Sequence, residues 1–362
     1  MSSYMKKSIL FSVFILPLLL FFSCKKEPTL TVKLLTDGPG INDKSFNAKA
    51  WQGILKFYNE EWGNEEYFGT LYDVIPCRES GTWTSTLRKV SEEKPDLIII
   101  TSFIFSGSVQ YIGPVFPEQK YLCIDGNSFG YPNVRNYLFA SEEGSFLVGA
   151  AAALRAQKDE VQYPAFGFIG GVEGDVITDF EVGFVQGVRH ILPGAHIFVH
   201  YVNDWAKPEL AAAITKKWYD SGIYAVYSAA GASGNGTIAQ AIAHRKAGKN
   251  VWAIGVDSDQ HEEGIYGVGK SAVLTSMVKN VDAAVLAGLN DVAKGTFTGG
   301  SVIIGLKENG VGFTTTNPDL KDDVVKRLNS IRSDIITGKI TVASTYKDRE
   351  KVSEILKTVT ME

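Results

Sequence analysis

Cysteine and histidine are scarce in this chain, at three and five of 362 residues. No CxxC pair, HExxH helix or Cys/His cluster occurs, so no donor set stands at metal-ligand spacing and neither a metal nor a cofactor is expected. Cys123 lies in the apolar run Tyr121-Leu122-Cys123-Ile124. A thiol there acts as a small buried hydrophobe, so Cys77 and Cys123 are expected to stay unpaired. Basic tracts are missing as well. The 36 Lys and Arg against 40 Asp and Glu leave a formal charge of −4, without the clustered cations that nucleic-acid binding requires. Long apolar stretches are absent but for one, at the N-terminus.

That stretch is informative. Lys6 and Lys7 precede an uncharged apolar run from Ser8 to Ser23, which stops at Cys24 before Lys25, Lys26 and Glu27. This is the layout of a secretory signal, and the run is shorter than the ~20 residues of a spanning helix. Phe21-Phe22-Ser23-Cys24 resembles a bacterial lipobox, with Phe21 where Leu is usual. Residues 1–23 are therefore expected to be a lipoprotein signal peptide, Cys24 the lipidated first mature residue, and 24–29 a tether. The mature chain, with a charge of about −6, is expected outside the cytoplasm, anchored to a bacterial cell membrane and facing the periplasm or the exterior.

From Leu30 onward, short apolar runs alternate with amphipathic segments. Leu30 to Leu35, Leu71 to Ile75, Leu97 to Thr101 and Tyr121 to Ile124 read as strands. Lys44 to Trp62, Trp83 to Glu92 and Val109 to Phe116 read as helices, the first with Phe46, Ala50, Ile54, Phe57 and Tyr58 at helical spacing. The alternation recurs from Glu143 to Val256. Two such arrays predict an α/β protein of two Rossmann-like lobes with parallel sheets. The remainder holds strands at Ala272 to Met277, Val302 to Leu306 and Gly310 to Phe313, and helices at Asp282 to Ala293 and Asp322 to Thr337. That is too little for a third lobe. It is expected to return to both, with crossing strands forming a hinge. The boundaries that follow are 30–141 plus about 258–303 for lobe 1, 142–257 plus about 304–345 for lobe 2, and a tail over 346–362.

Ligands of parallel sheets sit beyond the carboxyl ends of the strands. Three strands are followed at once by aspartate, at Asp37, Asp125 and Asp257. Singly, each is an ordinary turn or cap residue. Together, they suit a ligand that donates neutral hydroxyl or ring N–H groups. The turn Gly231-Ala232-Ser233-Gly234-Asn235-Gly236 lacks the Lys-Ser/Thr ending of a P-loop and the spacing of GxGxxG. Close backbone approach at Gly231 and Gly234 fits it better. Phe46 opens the first helix and Tyr227 ends a strand beside the Gly-rich turn. They are either two core aromatics or two rings that clamp a flat ligand from opposite lobes.

Asn42-Asp43-Lys44-Ser45-Phe46-Asn47 resembles the DDKSFN signature of the basic membrane protein (Bmp) family of lipoproteins. Glu143 to Gly149, Phe180 to Phe184, the Gly-rich turn, Val251 to Gln260, and Leu274 to Lys279 are similar to the same family, so the resemblance spans nearly the whole mature chain. It implies a type I periplasmic-binding-protein fold and a monomer that binds a solute for an ABC permease, with no enzyme activity. Members that bind purine nucleosides imply that Phe46, with Asn47 beside it, and Tyr227 stack the base. By the same likeness Asp37 or Asp125 meets the purine edge, Asp257 and Lys279 hold the ribose, and Gly231 and Gly234 line the pocket. Departures at Asn42, Gly38-Pro39, Ala232-Ser233 and Tyr227 keep a riboflavin-like ligand open as the alternative. A nucleoside hydrolase is the distant alternative, since no dense run such as DxDxxxDD lies near the N-terminus.

Overall fold

The computed structural model describes residues 30–362, so the expected signal peptide, Cys24 and the tether lie outside the described residues. The first array runs β1 (Val32–Thr36), α1 (Phe46–Tyr58), β2 (Tyr72–Pro76), α2 (Trp83–Glu92), β3 (Leu97–Thr101), α3 (Ser106–Ile112), β4 (Tyr121–Ile124) and β5 (Val134–Phe139). The second runs α4 (Ser141–Lys158), β6 (Ala165–Gly170), α5 (Asp175–Ile191), β7 (His196–Tyr201), α6 (Pro208–Asp220), β8 (Ala225–Ala229), α7 (Asn235–Lys246) and β9 (Trp252–Asp257). After a hairpin of β10 (Ile265–Gly267) and β11 (Lys270–Ser271) come β12 (Val273–Lys279), α8 (Val281–Lys294), β13 (Gly300–Ile304), β14 (Val311–Phe313), α9 (Asp322–Ile336), α10 (Arg349–Leu356) and β15 (Thr360–Met361).

Two sheets result. The first has the order β2-β1-β3-β4-β5-β13 and is parallel throughout. The second has the order β15-β7-β6-β8-β9-β12-β14, with only β14 antiparallel. β3, Leu-Ile-Ile-Ile-Thr, is buried at every residue, as a parallel strand covered on both faces must be. α1 begins where the Asp43 carboxylate accepts from the backbone N–H groups of Ser45, Asn47 and Ala48 at 3.0, 2.7 and 3.0 Å, which satisfies donors the first turn leaves open. It ends at Asn59 in the left-handed conformation, a common helix stop. α4 and α5 approach very closely. A Cβ on Gly149 would lie 2.4 Å from the Phe184 carbonyl oxygen, and one on Gly187 would lie 2.0 Å from that of Phe146.

The chain passes between the lobes three times: from β5 to α4, from β12 to α8, and from β13 to β14. The crossings are tied together. Ala140 N–H donates to the Ile304 carbonyl at 3.0 Å and Asn280 N–H to that of Gly310 at 2.8 Å, while Glu143 accepts from Leu306 N–H at 2.9 Å. This is a hinge of the expected kind, with two differences in the chain's course. Segment 258–279 does not join lobe 1, because β12 pairs with β9 and the chain crosses only after Lys279. The strands near 302–306 and 310–313 flank one turn and enter different sheets, in keeping with the boundary expected near residue 303. Residues 346–362 are no loose tail: Val352 of α10 packs against Val182 of α5, and β15 pairs with β7. Cys77 and Cys123 are both buried and free.

Candidate functional site

Strand order reverses between β1 and β3 in the first sheet and between β6 and β8 in the second. Each reversal opens a crevice at the carboxyl ends of the strands. Residues from both crevices line one interlobe cleft with about 510 Å³ of empty space, its opening to solvent included.

From lobe 1, Asp37 follows β1 and enters the cleft wall. Its carboxylate accepts from Asn47 Nδ2 at 2.6 Å, and Asn47 Oδ1 accepts from the Thr101 hydroxyl at 2.6 Å. Burial pushes Asp37 up to about 6, against the pull of the Asn47 hydrogen bond. Asp43, which caps α1, also lines the cleft and is raised to about 6, first by burial. Phe46 and Asn47 reach the cleft from the first turn of α1, and Ser102 and Phe103 from the turn after β3.

Asp125 follows β4 and Asp257 ends β9, one in each lobe, and both take positive φ, 58° and 63°. Aspartate tolerates this conformation better than most residues, and its occurrence twice at matching places marks a constrained site. Burial raises Asp257 to about 6, while the charge of Lys279 and a 2.6 Å hydrogen bond from the Ser45 hydroxyl hold it down. That hydrogen bond joins the lobes. Burial likewise pushes Asp125 up, and its ion pair with Lys279 opposes the push. Lys279 is 1% exposed and stands behind the cleft wall. Its ammonium lies 5.0 to 5.1 Å from the ring centroids of Phe46, Phe139 and Phe180. It neutralises Asp125 and supports the rings without offering the ligand a free cation.

Tyr227, expected to face the ligand, does not line the cleft. That residue sits inside β8 at 0% exposure, packed among Phe168, Phe180 and Phe184, with its hydroxyl 3.2 Å from Ser145 Oγ. Strand alternation turns it into the core against α4 and α5. Gly234 is buried too, facing Ser228 and absent from the cleft wall, whereas Gly231 lines it at φ 55°. Lobe 2 presents two rings to the cleft, Phe180 of α5 and Trp205 beyond the end of β7. A Cβ on Gly171 would lie 2.1 Å from its indole and one on Gly231 3.5 Å away, so bare backbone forms its seat. Trp205 Nε1 has no partner among the described residues.

Sequence reasoning therefore missed Phe103, Phe180, Trp205 and Asp43. Phe103 and Trp205 both follow strands, so the rule that found the aspartates would have found them had every strand end been inspected. Phe180 had no such signal: it lies on α5 with Phe184, and only packing separates their roles. The finished cleft carries aromatic rings from both lobes and four buried carboxylates, those of Asp37, Asp43, Asp125 and Asp257, and no Lys, Arg or His among its described lining residues. Such a wall accepts hydrogen bonds from a flat, uncharged donor and repels anions.

Residues 30–346 match the family described as Bmp, ABC transporter substrate-binding protein PnrA-like. The ABC transporter nucleoside-binding protein BmpA of Lactococcus lactis is 30% identical over 334 residues, 89% of this chain and 91% of that one. The CD4+ T-cell-stimulating antigen of Listeria monocytogenes is 32% identical over 326 residues, 88% and 89% of the two chains. Among solved structures, an ABC transporter solute-binding protein from Aeropyrum pernix superimposes with a TM-score of 0.78 at 24% identity, covering 91% of this chain and 96% of the other. That likeness is of fold: a type I periplasmic-binding architecture.

Proposed function

This chain belongs to the PnrA-like Bmp family of ABC transporter substrate-binding proteins, which makes it a solute-binding component rather than an enzyme, and we propose that its cargo is a purine nucleoside held between Phe46 and Trp205. The observation that carries this reading is the cleft wall, with rings from both lobes and four carboxylates but no basic side chain among its described residues. A neutral ring system stacks on such rings for about 0.5–1.5 kcal/mol beyond the area it buries. Sugar hydroxyls and ring N–H groups satisfy the carboxylates, and a phosphate meets only like charge, so a nucleoside is favoured over a nucleotide. Asp257, with Asp125 and Lys279 beside it, takes the ribose end, and Asp37 and Asn47 take an edge of the base. Closure about the three-stranded hinge then presents the loaded form to a membrane permease.

We also place the protein outside the cytoplasm, anchored through lipid on Cys24. Calorimetric titration with adenosine, guanosine and inosine, with the corresponding monophosphates as controls, tests the cargo: at least one nucleoside binds at micromolar Kd or tighter and the monophosphates bind far more weakly. Failure of all three nucleosides overturns the assignment, and a yellow, flavin-bearing preparation replaces it with riboflavin. Intact-mass analysis of membrane-extracted protein tests the anchor, through diacylglyceryl mass on a chain beginning at Cys24.

A further inference from the structure

A second chamber adjoins the cleft, and we propose that it receives a positively charged substituent on the sugar of the cargo, so that amine-bearing nucleosides are preferred ligands. The inference rests on the nucleoside reading of the cleft. The chamber holds about 910 Å³, its open mouth included, and shares Phe103, Asp125 and Val176 with the cleft. Asp125 is paired with Lys279 at the end of the cleft assigned to ribose. On that assignment the sugar end of the cargo lies beside Phe103, Asp125 and Val176, the wall that opens on the chamber, and a group on its 5′ carbon has room to enter there.

The chamber's own walls come from both lobes: Ser106 and Asn127 from one, Ser141, Asp175, Asp179 and Thr345 from the other. No Lys, Arg or His is among the described residues that line it. The cations nearby are already engaged: Lys279 by Asp125, Arg349 by Asp175, and Lys347 by Glu142 and Glu143. Ser141, which lines the chamber, is 1% exposed, and its hydroxyl has no partner among the described residues. Asp179 accepts only from Thr345, at 2.6 Å from its N–H and 3.1 Å from its hydroxyl, which leaves acceptor capacity unused. Buried acceptors without donors are costly to leave so. An alkylammonium group, with three N–H donors and a positive charge, supplies what Ser141 and Asp179 lack, whereas a phosphate brings these acceptors no donor and finds no free cation among the described lining residues.

The test is calorimetry on the full-length protein in detergent, with adenosine and guanosine, their 5′-deoxy-5′-aminopropylthio derivatives, and the uncharged butylthio analogues. The aminopropylthio compounds are expected to bind at least tenfold more tightly than the butylthio ones. Ser106→Trp fills the chamber and Asp179→Asn removes its charge while keeping an acceptor for Thr345. Both are expected to cut the amine preference at least threefold and to leave the parent nucleosides within twofold of the unsubstituted protein. An amine compound that binds no better than its butylthio analogue, or a preference untouched by both substitutions, overturns the chamber alone. Failure of every probe, parents included, overturns the nucleoside reading and the chamber with it.

Discussion

Replacing Lys279 by Met keeps most of the side-chain volume and deletes one charge. Lys279 and Asp125 are 1% and 4% exposed, so the substitution leaves a carboxylate buried opposite an apolar chain. Breaking a buried pair from one side costs about 3–5 kcal/mol, because the surviving charge is stranded. Each kcal/mol moves Tm by about 2–4 °C in a protein of ~150–250 residues, so K279M is expected to melt roughly 6–20 °C lower. The double variant D125N/K279M removes the stranded charge and is expected to regain more than half of the loss. pH gives an independent handle. Burial raises the folded-state pKa of Asp125 above its unfolded value, and without Lys279 the rise is larger. The folded variant then binds the proton more tightly than the unfolded chain. Its deficit shrinks as pH falls through the raised pKa and is greatest above it. Urea denaturation followed by circular dichroism at about pH 5 and about pH 8 measures both effects. A K279M loss below about 1 kcal/mol at the higher pH, or a double variant no better than the single one, refutes the view that this pair organises the site.

Trp205→Ala is expected to weaken nucleoside binding by roughly tenfold to a hundredfold, from lost stacking and burial, while Tyr227→Phe changes it less than about threefold; calorimetry on both decides which ring forms the clamp. Asp37 and Asp257 are raised to about 6 by burial, so their ionised forms weigh against the folded state above that pH, and the burden eases as pH falls through 6 toward the ordinary carboxylate range. Affinity runs the other way: each carboxylate needed in its ionised form costs about tenfold in Kd between pH 7 and pH 5, and a flat profile over that range refutes their role as acceptors. Gly187→Ala brings a Cβ to 2.0 Å from the Phe146 carbonyl, and the separation of α4 and α5 it forces is expected to cost about 1–3 kcal/mol or more, read as a lowered urea midpoint.

The alternation of apolar runs and helices was enough to read two parallel-sheet lobes, because a strand such as β3, buried on both faces, must be apolar at nearly every position. Asp37, Asp125 and Asp257 were legible for a related reason: the strand ends point to the crevice whatever the rest of the fold does. What could not be read locally depends on partners distant in sequence. Whether residues 273–279 join the first sheet or the second is decided by pairing with β9, and the segment's own composition suits either. The inward turn of Tyr227 depends on which face of β8 meets α4 and α5. The apolar neighbours of Tyr227 look the same on a core-facing strand as on one that ends at a cleft. The cage around Lys279 gathers Phe46, Phe139 and Phe180 from three separate elements, and no spacing in the sequence announces it.

The three crossings between lobes also govern how the molecule can come into being. When synthesis has reached Lys279, the first sheet still lacks its edge strand β13, and the face of α1 around Gly53 still lacks α8, whose Val285 it will touch. β13 must then find β5 across the whole of the second array, and closing so long a loop is slow. The first sheet cannot be finished before β13 has been made, nor the second before β14 and β15. A nascent protein with this connectivity stays open until the segment beyond Lys279 has been made, the condition in which a polypeptide can be threaded through a narrow translocation channel.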